Sequence, residues 1–112
     1  MDKENKVIFS MSETNAVFRV FGELDHHSVR EIRDMIDEKL IFHRPEKVVM
    51  DLSGVTFTDS AGLGMVLGRY TRIKDSGGEL SLSGVSPEFM KILRLSGVDR
   101  MMRITEREKE RK

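Results

Sequence analysis

The sequence predicts an α/β domain with helices packed on a mostly parallel central sheet, in the order β-β-α-β-α-β-α-β. Three observations support this prediction. The first two apolar, β-branched segments are separated only by a short polar turn, which indicates an N-terminal β-hairpin. After them, segments with apolar residues at every third or fourth position alternate with short β-rich segments. Strands that alternate with helices form parallel sheets through crossover connections.

Length and composition narrow the class of protein. The 112 residues correspond to one domain, and 19 basic residues balance 19 acidic ones, whereas nucleic-acid-binding proteins usually carry a basic excess. No apolar run approaches the roughly 18 residues of a transmembrane helix, and the first residues do not resemble a secretion signal. With no cysteine and only the adjacent pair His26 and His27 as a histidine cluster, neither disulfides nor a metal site is expected. We therefore expect a small cytoplasmic domain without a cofactor, a metal, a nucleic-acid partner or a membrane partner.

The first half of the chain contains the predicted hairpin and one helix. Residues 7–11 and 16–21 read as strands, and Gly22 is predicted to end the second. Apolar spacing predicts an amphipathic helix over residues 27–41. Its buried face is predicted to consist of Val29, Ile32, Met35, Ile36 and Leu40.

The middle of the chain reads as a strand, a loop and a helix. Residues 47–52 are almost continuously apolar over 48–50, which favours a strand covered on both faces. Residues 53–58 are predicted to form a loop. A second helix is predicted to begin near Ser60 and to end at the glycine pair 77–78.

The last part of the chain reads as a strand, a helix and a short final strand. Residues 79–83 alternate as a strand does, and Ser86, followed by proline and an acid, is a good helix N-cap. Residues 101–104 are the predicted last strand. Residues 105–112 contain almost only charged side chains, so we divide the chain into a domain over 1–104 and a solvated or fraying tail over 105–112.

The start of the second helix departs from good helix chemistry. Glycine stands at 62, 64 and 68, and each glycine in a helix interior costs roughly 0.5–1 kcal/mol relative to alanine. Close approach of another group is the usual compensation. We expect Gly68 to allow tight packing of the helix on the sheet, and Gly62 and Gly64 to lie where a partner or an anion approaches.

Ser60 has two interpretations. As a structural residue it is the N-cap of the helix. As a functional residue it offers its hydroxyl for phosphorylation, because the free N–H groups and dipole of a helix start stabilise a phosphate. A phosphate would add about 1.5 to 2 negative charges beside Asp59, which would disturb any surface packed there.

Other candidate residues also have structural interpretations. Asp25 is preferred as the N-cap of the first helix, but it could instead line a functional surface, because strand–helix junctions at one edge of a parallel sheet lie close together. Arg69 and Arg72 are interpreted as a solvated helix face. The motifs of a hydrolase nucleophile elbow, a P-loop and a dinucleotide-binding loop are absent from the sequence.

With these residues in view, the chain resembles the anti-anti-sigma factors of the STAS family over residues 6–104. The most specific similarity is VMDLS at 49–53, followed by FTDSAGLG at 57–64. GELDHH at 22–27 and LGRY at 67–70 resemble the sporulation branch of that family. One departure is Ala61, where this branch often has a second serine, so the assignment of the modified residue to Ser60 is less ambiguous.

The resemblance implies a switch without catalysis of its own. In the family, the unmodified antagonist binds an anti-sigma factor that is also a serine kinase, and the sigma factor is released. The kinase then uses ATP to phosphorylate the serine that corresponds to Ser60, and a PP2C-type phosphatase reverses the modification. The expected partner-binding residues are Asp25, His26, Thr58, Asp59, Gly62, Leu63 and Gly64. Two alternatives remain: a phospho-regulated STAS module of a larger signalling complex without a sigma factor, and an enzyme that carries a transient phosphoserine.

Overall fold

The central sheet has five strands that lie side by side in chain order, β1-β2-β3-β4-β5, in a computed structural model that describes residues 6–108. β1 and β2 are antiparallel and the remaining neighbours are parallel, which confirms the predicted architecture and element order. The elements are β1 (Val7–Ser12), β2 (Asn15–Leu24), α1 (Val29–His43), β3 (Lys47–Thr58), α2 (Ser60–Asp75), β4 (Glu79–Val85), α3 (Pro87–Leu95), a 3-10 turn (Val98–Arg100) and β5 (Ile104–Glu106).

The core lies between one face of the sheet and the helices. Along the strands, every second side chain is buried, and these side chains form one apolar cluster with the inner faces of α1, α2 and α3. The predicted inner face of α1 is confirmed, with Ile32, Ile36 and Leu40 fully or nearly buried. The expectation that β3 is covered on both faces is wrong, because Val49 is only half-buried and Ile8 on the same open face of the sheet is 48% exposed.

Two strands run further than predicted. β2 does not stop at Gly22, which adopts a φ of +89° at an irregularity in the pairing, and the predicted loop over 53–58 is the second half of β3. The two extensions pair with each other and end together at Leu24 and Thr58. Bulges in the pairing of β2 with β3 interrupt the alternation of buried and exposed side chains, and residues 53–58 contain a glycine that is typical of turns. For these reasons the sequence of residues 53–58 was interpreted as a loop.

The predicted chemistry of the helix ends is confirmed at the start of α3 and at the end of α2. Ser86 caps α3 by accepting a hydrogen bond from the N–H of Phe89 at 3.1 Å. α2 ends just before Gly77, which adopts a φ of +87°, and the N–H of Gly78 donates to the carbonyl of Ile73 at 2.8 Å. The first helix begins later than predicted, at Val29, with Ser28 in the N-cap position.

The interpretation of Arg69 and Arg72 as a solvated face is wrong for Arg69. Only 6% of Arg69 is exposed, and its Nε lies 2.8 Å from Oδ1 of Asp37 on α1. Arg72 is exposed, although its Nε lies 3.3 Å from the same carboxylate oxygen. A buried guanidinium needs a charge partner, and the neighbouring helix provides one.

The end of the sheet lies beyond the predicted last strand. Residues 98–100 form the 3-10 turn, and β5 is Ile104–Glu106, so the strand crosses the predicted domain boundary at 104. Arg107 also contacts the sheet, and residues 109–112 of the predicted tail lie outside the described residues. None of the helices within residues 6–108 is long and apolar enough to span a membrane.

Candidate functional site

The candidate site lies where β2 and β3 end side by side. Leu24 pairs with Thr58, and the N–H of Asp59 donates to the carbonyl of Leu24 at 3.3 Å. The chain leaves β2 into the turn that precedes α1, and it leaves β3 directly into α2. The paired strand ends therefore bring Asp25 and Ser60 to the same edge of the sheet.

Asp59, and not Ser60, is the N-cap of α2. Asp59 has an extended backbone, and its carboxylate accepts a hydrogen bond from the N–H of Ala61 at 2.8 Å. Ser60 is the first residue of the helix and is exposed, and its hydroxyl forms no hydrogen bond with any residue in the range 6–108. The structural interpretation of Ser60 is therefore wrong, and its hydroxyl is accessible to a modifying enzyme.

The helix start offers a phosphate less support than expected. The N–H of Ala61 is bound by the Asp59 carboxylate, and the N–H of Gly62 donates to the carbonyl of Asp59 at 3.0 Å. A phosphate on Ser60 would therefore have to compete with a carboxylate for these donors. Its main effect would be to place a second negative group beside Asp59 on the surface.

The three glycines of α2 have different surroundings. Gly62 is buried, and a Cβ there would collide with Oγ1 of Thr58, so this glycine is required for the contact between helix and strand. A Cβ at Gly64 would meet no atom within 4 Å, and this exposed position leaves space for a partner. Gly68 also borders open space, so the expectation that it allows tight packing on the sheet is wrong.

Asp25 closes the turn before α1 and is not the N-cap of that helix. Its carboxylate accepts hydrogen bonds from the N–H groups of His27 at 3.0 Å and Ser28 at 2.9 Å. The bond from the Ser28 N–H is the main reason why the pKa of Asp25 is lowered from its usual value. His26 is exposed beside His27, with ring centroids 5.5 Å apart. The preferred interpretation of Asp25 as a helix cap is wrong, but the residue does border the site.

The predicted site residues differ in how far a partner could reach them. Ser60, Gly64 and His26 are exposed, whereas Gly62 is buried and acts through its packing. The half-buried residues are Asp25, Thr58, Asp59 and Leu63. Phe57, 52% exposed and immediately before Thr58, was not predicted as a site residue. An aromatic residue close to the candidate serine was a signal that the sequence did contain, but residues 53–58 were interpreted as a loop.

The grooves described for residues 6–108 are not lined by the predicted site residues. A groove of about 780 Å³ lies between the C-terminal halves of α1 and α2, where Leu40, Gly68 and Arg72 contribute to its walls, and none of the predicted site residues lines it. In the described part of the chain, no three His, Cys, Asp or Glu side chains are grouped as a metal site requires. An exposed hydroxyl near the exposed Phe57 and the half-buried Leu63 suits contact with another protein better than enclosure of a small substrate.

Comparison with known proteins identifies the family. The model of the STAS domain family matches residues 5–111. The anti-sigma F factor antagonist of Paenibacillus polymyxa is 38% identical over 92 residues, which cover 82% of this chain and 79% of that protein. The protein of the same name from Lysinibacillus sphaericus is 35% identical over 88 residues, which cover 79% and 75%.

Solved structures agree with this identification. The Bacillus cell fate determinant SpoIIAA in its phosphorylated form superposes with a TM-score of 0.71 and 31% identity, covering 88% of this chain and 89% of that one. Unphosphorylated SpoIIAA, an anti-sigma factor antagonist, superposes with a TM-score of 0.65 and 28% identity, covering 85% and 96%. The match to the family model covers nearly all of the sequence, and the structure superposes on solved structures of SpoIIAA over most of its length. The chain belongs to the STAS domain family.

Proposed function

We propose that this protein is an anti-sigma factor antagonist and that phosphorylation of Ser60 switches it off. In its unphosphorylated form it binds an anti-sigma factor with serine kinase activity, and the sigma factor is released. The observation that carries the proposal is the Ser60 hydroxyl, which is exposed at the first position of α2 and forms no hydrogen bond among residues 6–108, while Asp59 caps the helix. The names of the similar antagonists and the phosphorylated form of SpoIIAA support the same function.

The switch follows from electrostatics at the helix start. A partner that packs on Leu63 and Gly64 must remove water from the neighbouring Ser60 side chain. A phosphate there would be desolvated beside the Asp59 carboxylate, and burying a second negative charge next to the first is unfavourable. A penalty of about 2–4 kcal/mol would weaken the complex by roughly 30- to 1,000-fold without any change of fold.

In this function the protein is a substrate and a binding partner and has no catalytic activity of its own. The kinase is the anti-sigma factor itself, and a PP2C-type phosphatase restores the unmodified state. The exchange takes place in the cytoplasm, where ATP and sigma factors are found. We propose that the rim of the partner surface is formed by residues at the paired ends of β2 and β3, together with the buried Gly62 that shapes it. These residues are Asp25, His26, Phe57, Thr58 and Asp59.

The test compares binding of three proteins to the purified anti-sigma kinase encoded in the same genome, by calorimetry. Ser60→Ala is expected to bind as the wild type does and to accept no phosphate, whereas Ser60→Asp is expected to bind at least about 30-fold more weakly. Ser12→Asp is the matched control, because it adds the same charge at an exposed position at the end of β1, next to the turn into β2. Stoichiometric phosphorylation of Ser60→Ala would contradict the site assignment. Normal switching without release of a sigma factor would instead indicate the STAS module of another signalling complex.

A further inference from the structure

In the part of the chain that the structure describes, residues 6–108, the second half of β3 has a neighbouring strand on only one of its two sides. β3 pairs with β4 only as far as Asp51, opposite Ser83, while its pairing with β2 continues to Thr58. At this point Gly84 of β4 packs closely against Ser53 of β3. Gly84 has a φ of +67°, and a Cβ on Gly84 would be 2.7 Å from the backbone nitrogen of Ser53. The main-chain carbonyls of β3 beyond this crossing therefore have no β4 strand to bond.

Arg107 takes the place of the missing strand. Its Nη2 donates to the carbonyls of Leu52 at 2.8 Å and Val55 at 3.2 Å, and its Nε donates to the carbonyl of Gly84 at 3.1 Å. The Arg107 main-chain N–H also donates to the carbonyl of Val85 at 2.8 Å. One half-buried side chain thus joins β3 to β4 across the gap between them.

The planar guanidinium is suited to this role. Its N–H groups point in fixed directions within one plane, so that one side chain can bond several carbonyls at once, whereas a lysine ammonium is a compact charge without this fork. Hydrogen bonds from a charged donor are stronger than those between neutral groups. The three carbonyl contacts therefore hold the bulged part of β3 more firmly than a neutral side chain could.

The residues held by Arg107 lead directly to the candidate phosphoacceptor. Val55 is followed by the last residues of β3 and then by Asp59 and Ser60. On one side this segment is fixed by β2, through the pair Leu24 and Thr58. On the other side, Arg107 provides the side-chain contacts to main-chain carbonyls.

We propose that Arg107 is a positioning residue for Ser60, which keeps the last half of β3, and with it the start of α2, in the conformation that a kinase recognises. The part of the proposal that concerns the kinase rests on the function proposed above. The part that concerns the conformation of residues 53–61 holds for the free protein. Arg107 lies in the segment that the sequence indicated to be a solvated charged tail, and its role depends on contacts with residues more than 50 positions earlier.

Amide hydrogen exchange of the full-length chain tests the positioning directly. In Arg107→Gln, residues 53–61 are expected to exchange at least about tenfold faster than in the wild type, while α3 and β1 exchange at unchanged rates. Arg107→Lys is expected to give a smaller acceleration. Arg103→Gln is the matched control, because it removes an exposed charge from the same end of the chain and its side chain forms no hydrogen bond within residues 6–108.

Phosphorylation by the anti-sigma kinase provides the second measurement. Arg107→Gln is expected to raise KM for the protein substrate about threefold to tenfold with little change in kcat, because a smaller fraction of molecules has the recognised conformation. The positioning role is overturned if Arg107→Gln and Arg103→Gln exchange alike over residues 53–61, or if acceleration is uniform over the chain. If exchange changes as expected but the wild type is not phosphorylated, the positioning role stands and the proposed function fails.

Discussion

Arg69 on α2 and Asp37 on α1 form an ion pair beneath the surface, with 2.8 Å between Nε and Oδ1. Burial lowers the pKa of the Arg69 guanidinium from its usual value, and the charge of Asp37 opposes that change. The pair joins the two helices near the groove between their C-terminal halves, and it lies far along α2 from Ser60. Its role is therefore expected to be structural.

Replacing Asp37 by asparagine would remove the negative charge 2.8 Å from the buried Arg69 guanidinium, which would keep its hydrogen bond to the carbonyl of Met65 at 3.4 Å. Breaking such a pair is expected to reduce the free energy of unfolding by about 2–4 kcal/mol, to be measured by urea denaturation. Asp34→Asn is the control, because Asp34 is exposed and its ion pair is with the likewise exposed Arg33, at 3.3 Å. This change is expected to cost less than about 0.5 kcal/mol. If the two variants lose the same free energy of unfolding, the Arg69 guanidinium must reach solvent when Asp37 is replaced.

The capping assignment at α2 predicts opposite outcomes at two adjacent residues. Asp59→Ala removes the acceptor of the Ala61 N–H and is expected to cost about 1 kcal/mol of unfolding free energy. Ser60→Ala removes a hydroxyl without a partner in the described residues and is expected to change stability by less than about 0.5 kcal/mol. Thermal and urea denaturation of both variants measures the difference. A larger loss in Ser60→Ala would restore Ser60 as the cap.

The sequence was sufficient to predict the order of the elements and the inner face of α1. Hydrophobic spacing reports burial directly, so the hairpin and α1, with Ile32 and Ile36 buried, were predicted correctly. The cap at Ser86 was predicted correctly from its residue type and from the proline and acid that follow it. It could not distinguish Asp59 from Ser60 as the cap of α2. Both residue types are good caps and they are adjacent, so only the backbone conformation shows which one bonds the helix.

Contacts between distant residues account for the other differences. Arg69 and Arg107 both read as solvated charges, because nothing near them in sequence indicated that Asp37 or the carbonyl of Leu52 would meet them. The second half of β3 read as a loop, since a bulge interrupts its alternation and Gly54 resembles a turn residue. Each of these features depends on pairing across the sheet or between helices, which local patterns do not contain.

Alanine substitutions at two glycines near Ser60 are expected to change the stability of the protein in opposite directions. Gly62→Ala would place a Cβ against Oγ1 of Thr58 and is expected to destabilise the protein by about 1–3 kcal/mol. Gly64→Ala enters open space in a helix and is expected to stabilise it by about 0.5–1 kcal/mol. Melting temperatures test both statements. If Gly64→Ala is more stable and still binds the anti-sigma kinase normally, Gly64 is not part of the partner surface.

The turn formed by Asp25 predicts a pH dependence of stability. The pKa of this carboxyl is lowered in the folded protein from its ordinary value of 3.8, mainly by the N–H of Ser28. A group with a lowered folded pKa contributes stability that is fully present above its unfolded pKa and is lost as the pH falls through the folded pKa. The contribution of the ionised Asp25 should therefore be present at pH 6 and decline as the pH falls below about 4.

Urea denaturation of the wild type and Asp25→Asn between pH 6 and pH 3 measures this contribution. The wild type is expected to be the more stable protein at pH 6, and the difference should shrink as the carboxyl is protonated and the two side chains become alike in charge. Asp99→Asn is the control, because this exposed carboxyl in the 3-10 turn accepts no hydrogen bond within residues 6–108. A difference that stays constant over the whole range would mean that Asp25 supports the turn through its shape alone, without its charge.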